Sequence, residues 1–151
     1  MKHIRVILAI FIIAILAISI ADSAPTPVRT MIQIGSIDYG SAAPGNSEPV
    51  TIMVNVLSTV YPQGICGLAK SNFKIEVPTH GFGYTAIAIK KVIEVSGGGS
   101  CSYKVVIAPG IYLGNQYKWA NSPGAFNLYY FKGGNQIAVA TFNLKMYANW
   151  P

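Results

Sequence analysis

Beyond residue 30 the chain reads in steps of two. Across 50–60, Val50, Ile52, Val54, Val56 and Val60 fall on one side, and Thr51, Asn55 and Thr59 on the other. Period-two alternation rich in β-branched residues marks a half-buried strand. Segment 72–77 turns Phe73, Ile75 and Val77 one way and Lys74 and Glu76 the other. Segment 101–107 places Cys101, Tyr103, Val105 and Ile107 on one face, and segment 31–38 directs Ile32 and Ile34 inward. Segment 85–95 carries Ile87 and Ile89, then Val92, Ile93 and Val95. Its phase changes at Lys90-Lys91, which predicts a bulge or local twist. Segments 125–131 and 136–147 complete the set. In them Phe126, Leu128 and Tyr130, then Ala138, Ala140, Phe142, Leu144 and Met146, face inward.

Turn chemistry separates these segments. Pro44-Gly45-Asn46, Tyr61-Pro62-Gln63-Gly64, His80-Gly81, Gly97-Gly98-Gly99, Pro109-Gly110 and Pro123-Gly124 read as loops. Gly133-Gly134-Asn135 between two apolar runs reads as a hairpin. No stretch outside the N-terminal segment keeps a helical period. The fold class predicted is all-β, an antiparallel immunoglobulin-like β-sandwich of about seven strands, with a small barrel as the alternative.

The N-terminal segment follows a different rule. Lys2, His3 and Arg5 precede an apolar run from Val6 to Ala21 whose only polar member is Ser19, and small residues then lead to Pro25 and Pro27. A basic start, an apolar centre and a small-residue cleavage site form a secretory signal peptide. The alternatives are a retained membrane anchor, since the run is slightly short of the roughly 20 residues a spanning helix needs, or a pilin-like helix. The expected organisation is a signal peptide at 1–23, an extended lead-in at 24–30 and a β-sandwich domain at 31–151. The expected location is secreted, periplasmic or at the cell surface, with membrane attachment only if the segment is kept.

Composition adds exclusions. Of 151 residues, 52% are hydrophobic and only 11% charged, against about 25% charged in ordinary globular chains. That excludes a disordered tail or a coiled coil. The formal net charge is +6. Outside the leader the basic residues are scattered from Arg29 to Lys145, and only Lys90 and Lys91 are adjacent. A nucleic-acid partner wants a clustered basic stripe, so none is expected.

The 2 cysteines, Cys66 and Cys101, are expected to pair in an exported chain. Their bond would close a loop of about 36 residues, and the chain-entropy estimate for it is roughly 4 kcal/mol. Catalytic chemistry is sparse. Beyond the leader there is one histidine, His80, and the carboxylates Asp38, Glu48, Glu76 and Glu94 are dispersed. Glu76 and His80 read as surface residues. There is no metal-ligand spacing, no Gly-x-Ser-x-Gly elbow and no Lys-Ser/Thr after Gly97-Gly98-Gly99-Ser100. The expectation is a non-enzyme with no cofactor and no metal.

Aromatic residues are the remaining resource. If Phe126, Leu128 and Tyr130 point inward, then Tyr129 and Phe131 point outward, beside Ile137 and Val139 of the following strand. Those four would form an apolar patch, the usual mark of a contact surface. Tyr112, Tyr117 and Trp119 lie in a Gly/Asn-rich stretch and would stack on a sugar or a partner protein. For Trp119 the preferred reading is packing on the core near the disulfide, as in many sandwiches, and the loop contact beside Tyr112 and Tyr117 is its alternative.

Several local runs carry a resemblance. Gly67-Leu68 precedes Asn72-Phe73, which opens a strand. Ser100-Cys101-Ser102-Tyr103 opens a Tyr-centred strand ending at Pro109. Trp119 precedes Pro123-Gly124-Ala125-Phe126, and Gly134 precedes the run from Ile137 through Thr141-Phe142 to Leu144. This order resembles the immunoglobulin-like modules of extracellular prokaryotic proteins and, more distantly, the macroglobulin-type sandwich, over about residues 50–145. Phe126 stands where those modules often have Tyr, and no Cys-Gly-Glu-Gln thioester sequence is present, so protease trapping is not implied. The resemblance implies a fold and transfers no activity. The functional expectation is an exported, non-catalytic module for protein interaction or cell-surface structure, acting through an aromatic face or a strand edge on a protein partner or on itself. A pilus or filament subunit and a carbohydrate-binding module are the alternatives.

Overall fold

Alternation at period two is realised as two antiparallel sheets. A computed structural model describes residues 27–77, 87–112 and 114–149. The expected signal peptide, residues 24–26 of the lead-in and His80 lie outside the described residues. In chain order the strands are β1 (Thr30–Asp38), β2 (Val50–Ser58), β3 (Phe73–Glu76), β4 (Ile87–Gly97), β5 (Ser100–Pro109) and β6 (Ile111–Tyr112). They continue with β7 (Asn115–Gln116), β8 (Lys118–Ala120), β9 (Gly124–Lys132), β10 (Asn135–Leu144) and β11 (Tyr147–Asn149). The described residues contain no α-helix, only a 3-10 turn at Lys70–Asn72.

The larger sheet has the order β1-β2-β5-β4 and the second β10-β9-β3, and β11-β8 and β6-β7 form two further two-stranded pairs. The seven strands of the first two sheets correspond to the seven segments read from the alternation. The chain passes between the sheets at β2 to β3, at β3 to β4, and between β5 and β9. Val50, Ile52, Val54, Val56, Tyr103, Val105 and Ile107 from the first sheet meet Phe73, Ile75, Phe126, Leu128 and Leu144 from the second in one buried cluster. Burying such side chains stabilises by about 1.5–3 kcal/mol each, which is the main force holding the layers together.

Lys90-Lys91 marks a real irregularity, because the pairing of β4 with β5 shifts between Ile89 and Lys91. After that shift Val92 and Glu94, not Ile93 and Val95, are paired with the inward residues Val105 and Tyr103. Ile93 and Val95 are exposed.

Two strand ends differ from expectation. Val60 is 55% exposed rather than inward. The strand stops at Ser58, whose Oγ accepts from the amides of Val60 at 3.3 Å and Tyr61 at 3.0 Å. A serine hydroxyl that captures amides ahead of it starts a turn in place of the ladder. At the C-terminal end, 136–147 is not one strand. β10 ends at Leu144, and β11 leaves its sheet to pair with β8 through Tyr147↔Ala120 and Ala148↔Trp119.

Candidate interaction face and disulfide hub

The sheet β10-β9-β3 buries one face and exposes the other. β9 alternates strictly, with Phe126, Leu128 and Tyr130 buried and Asn127, Tyr129 and Phe131 half-buried on the outer side. Register places Val139 and Lys74 on either side of Tyr129, and Thr141 and Glu76 on either side of Asn127. Ile137 is 42% and Val139 48% exposed. The Tyr129 and Phe131 rings lie 6.4 Å apart at 46°. Tyr129, Phe131 and Val139 therefore lie on the outer side of this sheet, and Ile137, inside the register shift between Gln136 and Ala138, is exposed.

Polar groups frame the patch. The Thr141 hydroxyl donates to Asn127 Oδ1 at 2.8 Å, and Asn127 Nδ2 donates to the Tyr129 hydroxyl at 3.3 Å. Lys74 and Glu76 form an ion pair on the same face. A cleft of about 480 Å³ bounded by Asn72, Lys74, Phe131 and the Gly133-Gly134 turn opens beside it. The arrangement has the anatomy of a contact surface, with aromatic and aliphatic area at the centre and hydrogen-bonding groups at the rim.

The second aromatic group does not join this face. Tyr117 is 4% and Trp119 1% exposed, and both belong to the core. Neither presents a ring to a sugar. Nothing is described of the Tyr112 side chain, so its expected stacking role lies outside the described residues. Trp119 also does not pack near the disulfide. Its Nε1 donates to the Glu48 carbonyl at 2.7 Å, just before Val50, and Val50 is paired with Ile107. Cys101 lies six residues along β5 from Ile107, about 20 Å at strand rise.

Cys66 and Cys101 are bonded, with their Cα atoms 5.3 Å apart. The bridge ties the β2–β3 crossover to the start of β5. The Cys101 amide donates to the Gln63 carbonyl at 3.1 Å, and a methyl group at Gly64 would overlap the Cys101 carbonyl oxygen. Gly64, at φ +108, is therefore fixed by both conformation and contact.

A polar hub sits beside the bridge and was not read from the sequence. The buried Tyr103 hydroxyl accepts from the Leu68 amide at 3.1 Å. Its single proton faces the Ile65 carbonyl at 2.7 Å and Glu94 Oε2 at 3.0 Å. Glu94 Oε2 also accepts from the Gly67 amide at 2.6 Å. One tyrosine and one glutamate thus satisfy the backbone of the crossover loop. Glu94 Oε1 is 3.8 Å from Cys101 Sγ. Cys66, Cys101 and Glu94 place potential metal-ligand atoms within 4.8 Å of one another, but both sulfurs are in the bridge and offer no thiolate.

Burial, helped by the Glu94 carboxylate, pushes the Tyr103 hydroxyl up from 10.0 to about 12, against the Leu68 amide, which favours the phenolate. Burial also raises Tyr130. A native-state value above the unfolded one means that the folded protein holds the proton more tightly. The stability this contributes is complete below pH 10 and is lost as pH rises toward about 12. Replacing Tyr103 by Phe strands the Ile65 carbonyl and the Leu68 amide, at a cost of about 1–3 kcal/mol. Urea melts across pH 8–12 check both points. The wild type should lose stability in that window and Tyr103→Phe, weaker from the start, should lose less.

Comparison of the chain with protein-family models, with curated proteins and with solved structures finds no match.

Proposed function

We propose that the protein is an exported, non-catalytic β-sandwich module of immunoglobulin-like type that binds a protein partner through the outer face of the β10-β9-β3 sheet and its adjoining edge. The observation that carries this reading is the cluster of Tyr129, Phe131, Ile137 and Val139 on a sheet face that no other described layer covers. Contiguous apolar surface of this kind marks interaction sites. Support for the immunoglobulin-like assignment comes from strand order. β1-β2-β5-β4 facing β3-β9-β10 follows the four-plus-three arrangement of constant-type domains. The bridge differs from the antibody one, since it joins the β2–β3 crossover to β5 and not two strands across the core. Support for export comes from the leader pattern at 1–23 and from a disulfide, which persists in oxidising compartments.

The test places a photo-crosslinking amino acid at Tyr129 in the native host, with Lys104 on the exposed surface of the other sheet as control. The reading expects a discrete crosslinked protein from position 129 and none from 104. No product from 129, or the same products from both, would overturn it.

A further inference from the structure

The last inward positions of β9 carry polar groups that the core does not use. β9 turns Tyr130 inward, and period two turns Lys132 to the same side, about 7 Å further along the strand. Tyr130 still lies between the sheets. Its ring packs 6.4 Å from that of Phe73, and it is 2% exposed. Lys132, past the last buried position of the strand, is exposed. Both line a cleft of about 510 Å³ between this strand end and the β2–β3 crossover, with Tyr61, Cys66, Leu68 and Asn72 among its other walls.

Neither polar group is spent inside the protein. Among the described residues the one ion pair is Lys74–Glu76, so the Lys132 ammonium is not neutralised. The Tyr130 hydroxyl has no hydrogen bond to any described residue, and burial alone raises it. Every fully buried side-chain oxygen and nitrogen among the described residues has a partner. This hydroxyl therefore keeps a little accessible surface, and Tyr130 meets the surface at the cleft. The hydroxyl of the neighbouring Tyr103, by contrast, is fully engaged with Leu68, Ile65 and Glu94. Carrying a hydroxyl into an apolar layer costs free energy unless something bonds to it.

The walls are held in place before any ligand arrives. The bridge ties Cys66 to β5, and Glu94 and Tyr103 hold the amides of Gly67 and Leu68. Asn72 Nδ2 donates to the Phe131 carbonyl at 3.0 Å and fixes the opposite wall to β9. No acidic side chain lines the cleft. The Tyr61 ring, 59% exposed, supplies a flat apolar wall. An ammonium and a phenol are donors at neutral pH, and a carboxylate is an acceptor with two oxygens to offer them.

We propose that this cleft binds a small organic carboxylate, its oxygens on the Lys132 ammonium and the Tyr130 hydroxyl and its flat apolar body against Tyr61 and Leu68. The site does not use the Tyr129 patch, and it goes beyond the interaction-face reading without depending on it.

The experiment titrates the isotope-labelled protein with benzoate, with the neutral isostere benzamide and with inorganic phosphate, and follows amide chemical shifts by NMR. Benzoate is expected to saturate with a Kd of about 1 mM, as suits so small a ligand, and to shift the amides of Gly67, Leu68 and Lys132. Benzamide and phosphate should each bind about tenfold more weakly, the first for want of charge and the second for want of an apolar body. Lys132→Ala and Tyr130→Phe should each weaken benzoate about tenfold, and Lys104→Ala on the other sheet should not. Tyr130→Phe should also keep the wild-type urea midpoint, because its hydroxyl has no partner in the protein to lose. No saturation by benzoate, equal binding of benzamide or phosphate, or shifts confined to the Tyr129 face would overturn the inference. So would a Tyr130→Phe variant that loses stability and binds benzoate as the wild type does.

Discussion

Removing the bridge with Cys66→Ser and Cys101→Ser is expected to destabilise the protein by about 4 kcal/mol. The two residues are 35 apart in sequence, and the closed loop holds the β2–β3 crossover, β3 and β4. Freeing it restores to the unfolded chain the conformations that the bond removes. The folded state keeps other ties at that site. The Ile65 amide donates to the Val56 carbonyl at 2.7 Å, and Tyr103 and Glu94 hold the amides of Leu68 and Gly67. The double variant should therefore fold, but with a lower urea midpoint and a steeper slope, because its unfolded state is more expanded. Domains of this kind have about 5–15 kcal/mol in total. A loss under about 1 kcal/mol would mean that the hydrogen-bonded hub, not the bridge, anchors the crossover.

The two-sheet plan was legible because its signals are local. Val50, Ile52, Val54 and Val56 alternate over many residues, and only a strand buries them together. The shift at Ile89/Lys91 was legible because two adjacent lysines cannot both face a core. The outer patch followed from the same parity, since fixing Phe126 and Leu128 inward fixes Tyr129 outward. Four short strands had no such signal. β6, β7, β8 and β11 are two or three residues long, below the length at which a period can be seen. Their absence from the reading placed Tyr117 in an exposed loop, and it hid which part of the core Trp119 fills, since the core placement of Trp119 is as expected but away from the disulfide. A Gly/Asn-rich neighbourhood reads as an exposed loop, whereas pairing of β8 with β11 turns Trp119 into the core. The Tyr103–Glu94 hub was hidden for another reason. Glu94 is brought onto the side of Tyr103 only by the register shift before it, and a glutamate in a strand otherwise reads as outward.

Trp119→Ala is expected to cost about 3–5 kcal/mol, the range for deleting a large buried aromatic. The indole fills core space, and its loss also leaves the Glu48 carbonyl without its donor. Three contacts tie the 43–48 loop to this one residue. The Trp119 amide donates to the Asn46 carbonyl at 2.8 Å, its carbonyl accepts from the Gly45 amide at 2.7 Å, and its Nε1 reaches Glu48. Asn46 in turn organises the loop, accepting from the amides of Ala43 and Glu48 and donating to the Ser41 carbonyl. The main-chain bonds survive substitution and the side-chain bond does not. Trp119→Phe separates the contributions, because it retains much of the apolar volume and loses the donor. It should cost less than the alanine variant, with about 1–3 kcal/mol from the orphaned carbonyl and the rest from the smaller ring. Urea denaturation of both variants gives the two values. Near-wild-type stability in Trp119→Ala would place the indole at the surface and return it to the candidates for ligand stacking.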